Sequence, residues 1–302
     1  MAAFEEALPL TGRCPRLREE NVDCFSVAWD LLEELVLLGE ATKLSAHLTL
    51  DDKRYLVQVE LGTGTDTGDA DGAVTTTVPL APGWLSRPAL ERALDEERAR
   101  VAQVPPAFSA IKVAGRAAHR LTRAGRPPEL APRPVSVRSL VLRAADDRSL
   151  DLELVVSKGY FVRSLARDLG QRLGVPAHVR ALRRLASGPF TLDEALSWPP
   201  VAPVTPLSLA DTARRALPTA TLTAAGEALA RQGRRLGREH FAFAPAADAS
   251  ASHPGIVAWL CPRGELVALG RASGSGEYRV VRGFRSPGSF PAASRAPLPH
   301  DR

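Results

Sequence analysis

Side chains capable of chemistry are scattered along this chain, and their spacing excludes most common reactions. The loop GTGTDTGDADG (62–72) brings Asp66, Asp69 and Asp71 close together, which invites a calcium site. The calcium loop D-x-[DN]-x-[DN]-G would instead put its first ligand at Thr67 and its bidentate glutamate at Val78. The three aspartates therefore read as turn formers whose carboxylates bond nearby backbone N–H groups. None of the six histidines, His47, His119 and His178 among them, sits in HExxH or another ligand spacing, and Cys14, Cys24 and Cys261 form neither a CxxC pair nor an even disulfide set. No metal site is expected. The chain also lacks GxxxxGK[ST], a GxGxxG following a strand, and the GxSxG elbow, so the common nucleotide-dependent and hydrolytic chemistries lose support.

What the sequence does concentrate is positive charge. The formal net charge is only +5 over 302 residues, but Lys112 to Arg143 holds eight Lys or Arg against one acid, Glu129, and Lys158 to Arg184 holds seven against Asp168. Such stretches suit a polyanion whose phosphates are held by salt-sensitive contacts. Solvated helix faces of an Arg-rich protein would look the same.

The elements that must carry these residues follow from periodicity. LLEELVLLGEATKLSAHLTL (31–50) suits a buried apolar element, a break at Gly39 and a short helix. KRYLVQVELG (53–62) alternates Tyr55, Val57, Val59 and Leu61 on one face, as a half-buried strand does. With AVTTTVP (73–79) it suggests a long-looped antiparallel pair. Helical composition runs from Arg87 to Val101, a loop and short helix fill 107–125, and two strands (134–144 and 150–157) flank the turn ADDRS. FVRSLARDLGQRLG (161–174) spaces Phe161, Leu165, Leu169 and Leu173 four apart and stops at Gly174, the clearest helix in the chain. Beyond the proline-rich SWPPVAPVTP (197–206) come a helix near 222–232 and the strands GIVAWLC, ELVALGR and EYRVVRGF. The expected fold is α+β, with a mixed, largely antiparallel sheet flanked by helices and a small β-rich C-terminal domain.

Five motifs, in order and at similar spacing, resemble the TruB-type tRNA pseudouridine synthases: LGEATKLSAHL, DKRYLVQVELGTGTDTGDADG, QVPPAFSAIKVAGRAAHRLTRAGR, VSKGYFVRSLARDLGQRLG and AHVRALRRLASGPFTLDEA. The resemblance covers about residues 38–196 and continues more weakly over 205–284. It implies a catalytic domain over 32–196, incomplete at its N-terminus, and a small PUA-like RNA-binding domain over 205–284; the N-terminal segment 1–31 is unlike the family, and the Ser-, Pro- and Ala-rich tail 285–302 reads from its composition as disordered. It implies isomerisation of a T-loop uridine of tRNA without a cofactor, through a base flipped out of its stack. Tyr55 is similar to the family tyrosine that packs on that base; on its own it would read as a core strand tyrosine. Arg163 is similar to the arginine that pairs with the catalytic aspartate and holds it ionised. The family pattern there resembles SKGTYIR, so Phe161 keeps the ring at the usual tyrosine position without its hydroxyl. Lys53, Ser109, Lys112, Arg116, Arg123, Arg126, Lys158, Arg183 and Arg184 become candidate RNA contacts, read largely by shape. The implied protein is a monomer that binds the tRNA T-arm. No apolar run reaches the 18 or so residues of a membrane span and the first residues lack a secretory pattern, so the cytoplasm is the expected location.

One part of the resemblance is missing. The family motif resembles GTLDP, then ATG, an apolar run and GEATK; counting back without gaps from Gly39 puts Val27 at the aspartate and Ala28 at the proline. Asp30, or more remotely Asp23, could act as a displaced stand-in, although misplacement by about 1 Å can cost about a hundredfold in rate. A chain that kept RNA binding and lost turnover is the second reading. A frame or start-site change before about residue 32 is the third, and the abrupt switch from unrelated to faithful sequence favours it.

Overall fold

A computed structural model describes residues 24–28, 34–49, 52–195, 206–243, 255–273 and 276–285, with side chains from residue 37 onward. Asp30, the proline-rich boundary at 196–205 and the tail from 286 lie outside the described residues. The chain divides into two compact units: Thr49–Ala195, and Met1–Leu48 taken together with Leu196–Arg302.

In the second of these units, the first element among the described residues is strand β1 (Cys24–Ala28), which pairs antiparallel with β2 (Glu34–Leu37), Val27 opposite Leu35. The expected break falls at Gly39, whose φ of +55° suits a residue without Cβ. A 3-10 turn (Gly39–Leu44) and the short helix α1 (Ser45–Leu48) follow.

The unit Thr49–Ala195 is built on one sheet. Strand β3 (Lys53–Leu61) runs into a small ribbon of β4 (Thr63–Thr65) and β5 (Val74–Thr77). Helix α2 (Arg87–Arg98) starts after Ser86 with a proline in its first turn, where the absent N–H costs nothing. Next come β6 (Ala102–Gln103), the hairpin β7 (Lys112–Val113) and β8 (Arg116–Ala117), helix α3 (Ala118–Arg123) and β9 (Arg133–Pro134). Strands β10 (Val137–Ala145) and β11 (Ser149–Val156), helix α4 (Val162–Leu173), β12 (Ala177–Ser187) and β13 (Phe190–Thr191) complete it. The sheet order is β10-β11-β3-β12-β13, antiparallel throughout. Alternation on β3 puts Val57 and Val59 at 0% exposure, against Leu150, Leu152 and Leu154 of β11, Leu90 and Leu94 of α2, and Leu165 and Leu169 of α4. Gly174 ends α4 at φ +76°.

Two pairings differ from the sequence reading. The partner of β5 is β4; β3 pairs with β11 and β12 instead. The loop at 66–72 thus closes a short ribbon of its own. β12, an 11-residue inner strand, has no apolar alternation strong enough to announce it, because arginines occupy positions 180, 183 and 184.

Strand β14 (Leu207–Ser208) pairs with β1, Cys24 opposite Ser208, and leads into helix α5 (Leu209–Ala216). Ser208 caps that helix, its Oγ accepting from Asp211 N at 3.0 Å. A five-stranded sheet then forms from β15 (Thr219–Leu222), β16 (Phe241–Phe243), β17 (Val257–Leu260), β18 (Leu266–Ala272) and β19 (Tyr278–Gly283), in the order β16-β15-β17-β18-β19, with helix α6 (Ala224–Arg231) between β15 and β16. Its core centres on Trp259, fully buried, with Phe241 edge-on at 5.3 Å.

Candidate functional site

Strands β3 and β12 set Tyr55 opposite Arg184 and Lys53 opposite Ser187. The Tyr55 ring packs against the unit's core yet stays partly exposed, and the Arg184 guanidinium stands 5.5 Å from its centroid. A cation at that distance is drawn to the ring face. Leu182, two residues earlier on the same face of β12, is 43% exposed. An aromatic ring, a cation and an exposed leucine side by side make a surface on which a flat heterocycle can lie. Leu182 was not legible as a site residue, since an isolated leucine in a strand normally faces the core.

Arg163 sits in the first turn of α4. Its Nη1 donates to the Thr67 carbonyl at 3.1 Å and to Asp69 Oδ2 at 3.2 Å, and its Nη2 donates to the Phe108 carbonyl at 2.8 Å. The acidic loop is stitched down around it. Thr67 Oγ1 donates to Asp69 Oδ1 at 2.5 Å, Thr65 Oγ1 to the Asp69 carbonyl at 2.7 Å, and Val179 N of β12 to the Gly68 carbonyl at 3.0 Å. Gly68, at φ +76°, lies against Arg163. Asp66 spans the loop instead of forming a local turn: its Oδ1 accepts from Ala73 N, seven residues on, at 2.8 Å. Asp69 does more: among the described residues it is the carboxylate that pairs with Arg163. Side-chain exposures of 28% and 33% leave the pair open to solvent.

The basic residues lie mainly on and around a hairpin. Ala114 and Gly115, at φ +48° and +79°, form the two-residue turn joining β7 to β8, a geometry that matches strand twist. Lys112 and Arg116 are exposed on this hairpin, and Arg123 and Arg126 are exposed on and just after α3. The hairpin's base is tied by the Ser109 carbonyl, which accepts from His119 N and from His119 Nδ1, each at 3.0 Å; a carbonyl only accepts, so Nδ1 carries the proton. Ser109 itself is 5% exposed and its hydroxyl has no partner among the described residues. Lys158 is exposed in the turn before α4, Lys53 donates to the Thr49 carbonyl at 3.1 Å, and Arg183 lies half-buried on β12.

A buried carboxylate secures the strand-to-helix junction that precedes Arg163. Glu97, 0% exposed, accepts from Arg100 Nε and Nη2 at 2.6 Å each, from Arg172 Nη1 at 2.8 Å and from the Tyr160 hydroxyl at 2.7 Å. Burial pushes the Glu97 carboxyl up, but the donors from Arg100, Arg172 and Tyr160 outweigh it and hold the group below the usual carboxylate range. Burial and the Glu97 charge push the Tyr160 hydroxyl well above its ordinary value. Arg100 also reaches Asp168 at 2.8 Å. Among the described residues no cluster of His, Cys, Asp and Glu could hold a metal ion, and no helix is long and apolar enough to cross a membrane.

The chain matches the family models for the TruB family pseudouridylate synthase N-terminal domain over residues 35–162 and the tRNA pseudouridylate synthase B C-terminal domain over 163–202. A Mycobacterium tuberculosis protein named tRNA pseudouridine synthase B is 39% identical over 275 residues, 88% of each chain. A Cutibacterium acnes protein of the same name is 38% identical over 245 residues, 78% of each. A Cereibacter sphaeroides protein of that name is 47% identical over 163 residues, and the match spans about half of either chain (54% and 53%). In fold, the chain resembles a protein in an H/ACA RNP bound to a substrate RNA containing 2′-deoxyuridine, with a TM-score of 0.57 at 19% identity over 84% of this chain and 72% of that one. It also resembles a chain of a Cbf5-Nop10-Gar1 complex, with a TM-score of 0.53 at 22% identity over 78% and 64%.

Proposed function

This chain belongs to the TruB family of pseudouridylate synthases, and we propose that it isomerises a T-loop uridine of tRNA to pseudouridine, as a monomer and without a cofactor. In that reaction the bond from ribose to N1 of uracil breaks, the base turns, a bond from ribose to C5 forms, the C5 proton leaves, and the freed nitrogen takes up a proton, so the product is an isomer of the substrate. The protein's share is to flip the uridine out, stack it, and hold charge where the glycosidic bond breaks.

The observation that carries the reading is the Arg163 cluster, in a chain that matches the Cutibacterium acnes and Mycobacterium tuberculosis proteins over 78% and 88% of their length. Arg163 is held by two carbonyls and Asp69, which fixes the guanidinium and leaves further donors for a substrate or a second carboxylate. The half-exposed face of Tyr55, with Arg184 above it, receives the base. Lys112, Arg116, Arg123 and Arg126 supply phosphate contacts that recognise the folded arm. Asp30 is the stand-in for the aspartate missing from register. A second reading, RNA binding without turnover, draws on one observation: Val27, at the aspartate's counted position, sits in a strand opposite Leu35.

A T-arm hairpin carrying tritium at uridine C5 separates these readings. Turnover releases tritium to water, with a clear preference over a scrambled RNA of equal charge. Asp69→Asn then slows release by at least thirtyfold with hairpin affinity within threefold, and Asp30→Ala abolishes release. Tight, selective binding with no release by the folded chain would leave only the second reading, and equal binding of scrambled RNA would sink both. A normal rate in the Asp30→Ala variant would remove Asp30 from the mechanism.

A further inference from the structure

Helix α4 begins badly for a helix that must hold a charged side chain in place. Its N-cap is Phe161, which has no side-chain oxygen to satisfy the free N–H groups of the first turn, and no capping bond is made. Ser164, the polar residue of that turn, points its hydroxyl elsewhere, donating to the Val104 carbonyl at 2.8 Å. Arg163 is the second residue of this uncapped turn.

The missing restraint comes from another part of the chain. The carboxamide of Gln103, 1% exposed, grips the backbone of Phe161 on both sides: Oε1 accepts from Phe161 N at 2.8 Å, and Nε2 donates to the Phe161 carbonyl at 3.2 Å. That carbonyl also accepts from Ser164 N at 3.0 Å and Leu165 N at 3.2 Å, so it is the oxygen on which the helix starts. The side chain thus imitates a strand partner for the single residue that sets the direction of α4. Its neighbours extend the clamp. The Val104 carbonyl takes the Ser164 hydroxyl and Arg167 Nη2 at 3.0 Å, and the Phe108 carbonyl takes Arg163 Nη2 at 2.8 Å.

We propose that Gln103 is a positioning residue for Arg163: it anchors the backbone of the N-cap residue Phe161 and so fixes the first turn of α4, with the guanidinium meeting Asp69, Thr67 and Phe108 in one geometry. Gln103 touches neither the guanidinium nor any reacting atom. It acts through the Phe161 backbone. A displacement of about 1 Å at a reacting centre can cost about a hundredfold in rate, so a loosened first turn lowers turnover without changing the RNA-binding surface.

The kinetic part of the test rests on the isomerase reading; the structural part does not. Gln103→Met keeps length and removes both bonds, and Gln103→Glu, of the same size, keeps the acceptor for Phe161 N and guards against a variant that fails to fold. Amide hydrogen exchange, read residue by residue in the full chain, is expected to quicken at least tenfold at Phe161, Ser164 and Leu165 in Gln103→Met while amides of β3 and β11 keep their rates. With the tritiated hairpin, kcat falls at least tenfold and KM stays within twofold. In an Arg163→Lys background the same change costs less than threefold, because the group being positioned is already altered. Unchanged exchange at those three amides overturns the proposal. So does slower turnover that is fully additive with Arg163→Lys, or a loss confined to KM. A wild-type chain that releases no tritium refutes the isomerase reading, and the exchange result then decides the role of Gln103 alone.

Discussion

Glutamine at position 97 should unfasten the unit Thr49–Ala195 more than any surface change of equal size. Glu97→Gln alters one atom, but the new amide nitrogen must face a guanidinium or a hydroxyl that is already donating to it. Each charge-assisted bond to the carboxylate contributes about 1.5–3 kcal/mol, and two of the four become donor-to-donor contacts. Part of the loss is recovered, since Arg100 keeps Asp168 at 2.8 Å and Arg172 keeps Glu96 at 2.9 Å. The net cost is about 3 kcal/mol, at the low end for breaking a buried ion pair by removing one partner. Amides of β3 and β11, which exchange only when the unit opens, should then exchange about a hundredfold faster. The acid dependence adds a second reading. The Glu97 carboxyl is held low by Arg100, Arg172 and Tyr160, and the Glu153 carboxyl by hydrogen bonds from Arg143 and Arg54. A carboxylate with a depressed folded-state pKa contributes stability that is present above its unfolded pKa, about 4.3, and is lost as pH falls through the folded value. Wild-type stability therefore falls below about pH 4.3, and in Glu97→Gln that decline is shallower because one of the titrating groups is gone. A variant within about 1 kcal/mol of wild type, or an equally steep acid limb, would refute the argument.

Two further perturbations probe other parts of the molecule. Lys112→Ala and Arg116→Ala should each weaken binding of any RNA hairpin and flatten the slope of log affinity against log salt by about one, with little effect on hairpin preference; an unchanged slope would mean that the hairpin does not touch phosphates. In the C-terminal sheet, a Cβ on Gly270 would lie 1.9 Å from the Trp259 ring, and the ring is fully enclosed. Gly270→Ala should cost about 2 kcal/mol or more through overpacking, shift the emission of Trp259 and leave exchange in β3 and β11 unaltered.

How much of this could be read from the residues depends on whether the deciding interaction is local. β3 announces itself because alternation survives in Tyr55, Val57, Val59 and Leu61, three of them at 3% exposure or less. α4 does so because its apolar residues recur at helical spacing and Gly174 supplies the left-handed stop. β12 carries the same structural weight beside β3, yet its arginines mask the period, and only its pairing with β3 defines it as a strand. Glu97 is equally silent. Next to Glu96 in a charged helix it looks solvated, and its burial follows from Arg172 and Tyr160, more than sixty residues away.

The site divides along the same line. Tyr55 and Arg163 could be singled out by motif, but their neighbours are tertiary: Arg184 reaches Tyr55 across a strand pair, and Asp69 reaches Arg163 across 94 positions of sequence. The aspartates of the loop 62–72 look alike in sequence, all of them able to form turns. Asp66 instead ties the two ends of the loop, accepting from Ala73 N; Asp69 is distinguished because its backbone bridges to Val179 of β12 and its carboxylate meets Arg163 at the start of α4. On the isomerase reading proposed above, the chemistry turns on an arginine whose described partner is Asp69, in a chain whose counted aspartate position holds a strand valine. If a second carboxylate completes this centre, it must reach the donors of Arg163 that Thr67, Asp69 and Phe108 leave unused, and a loss of turnover in Asp30→Ala with Asp69 intact is the result that would identify it.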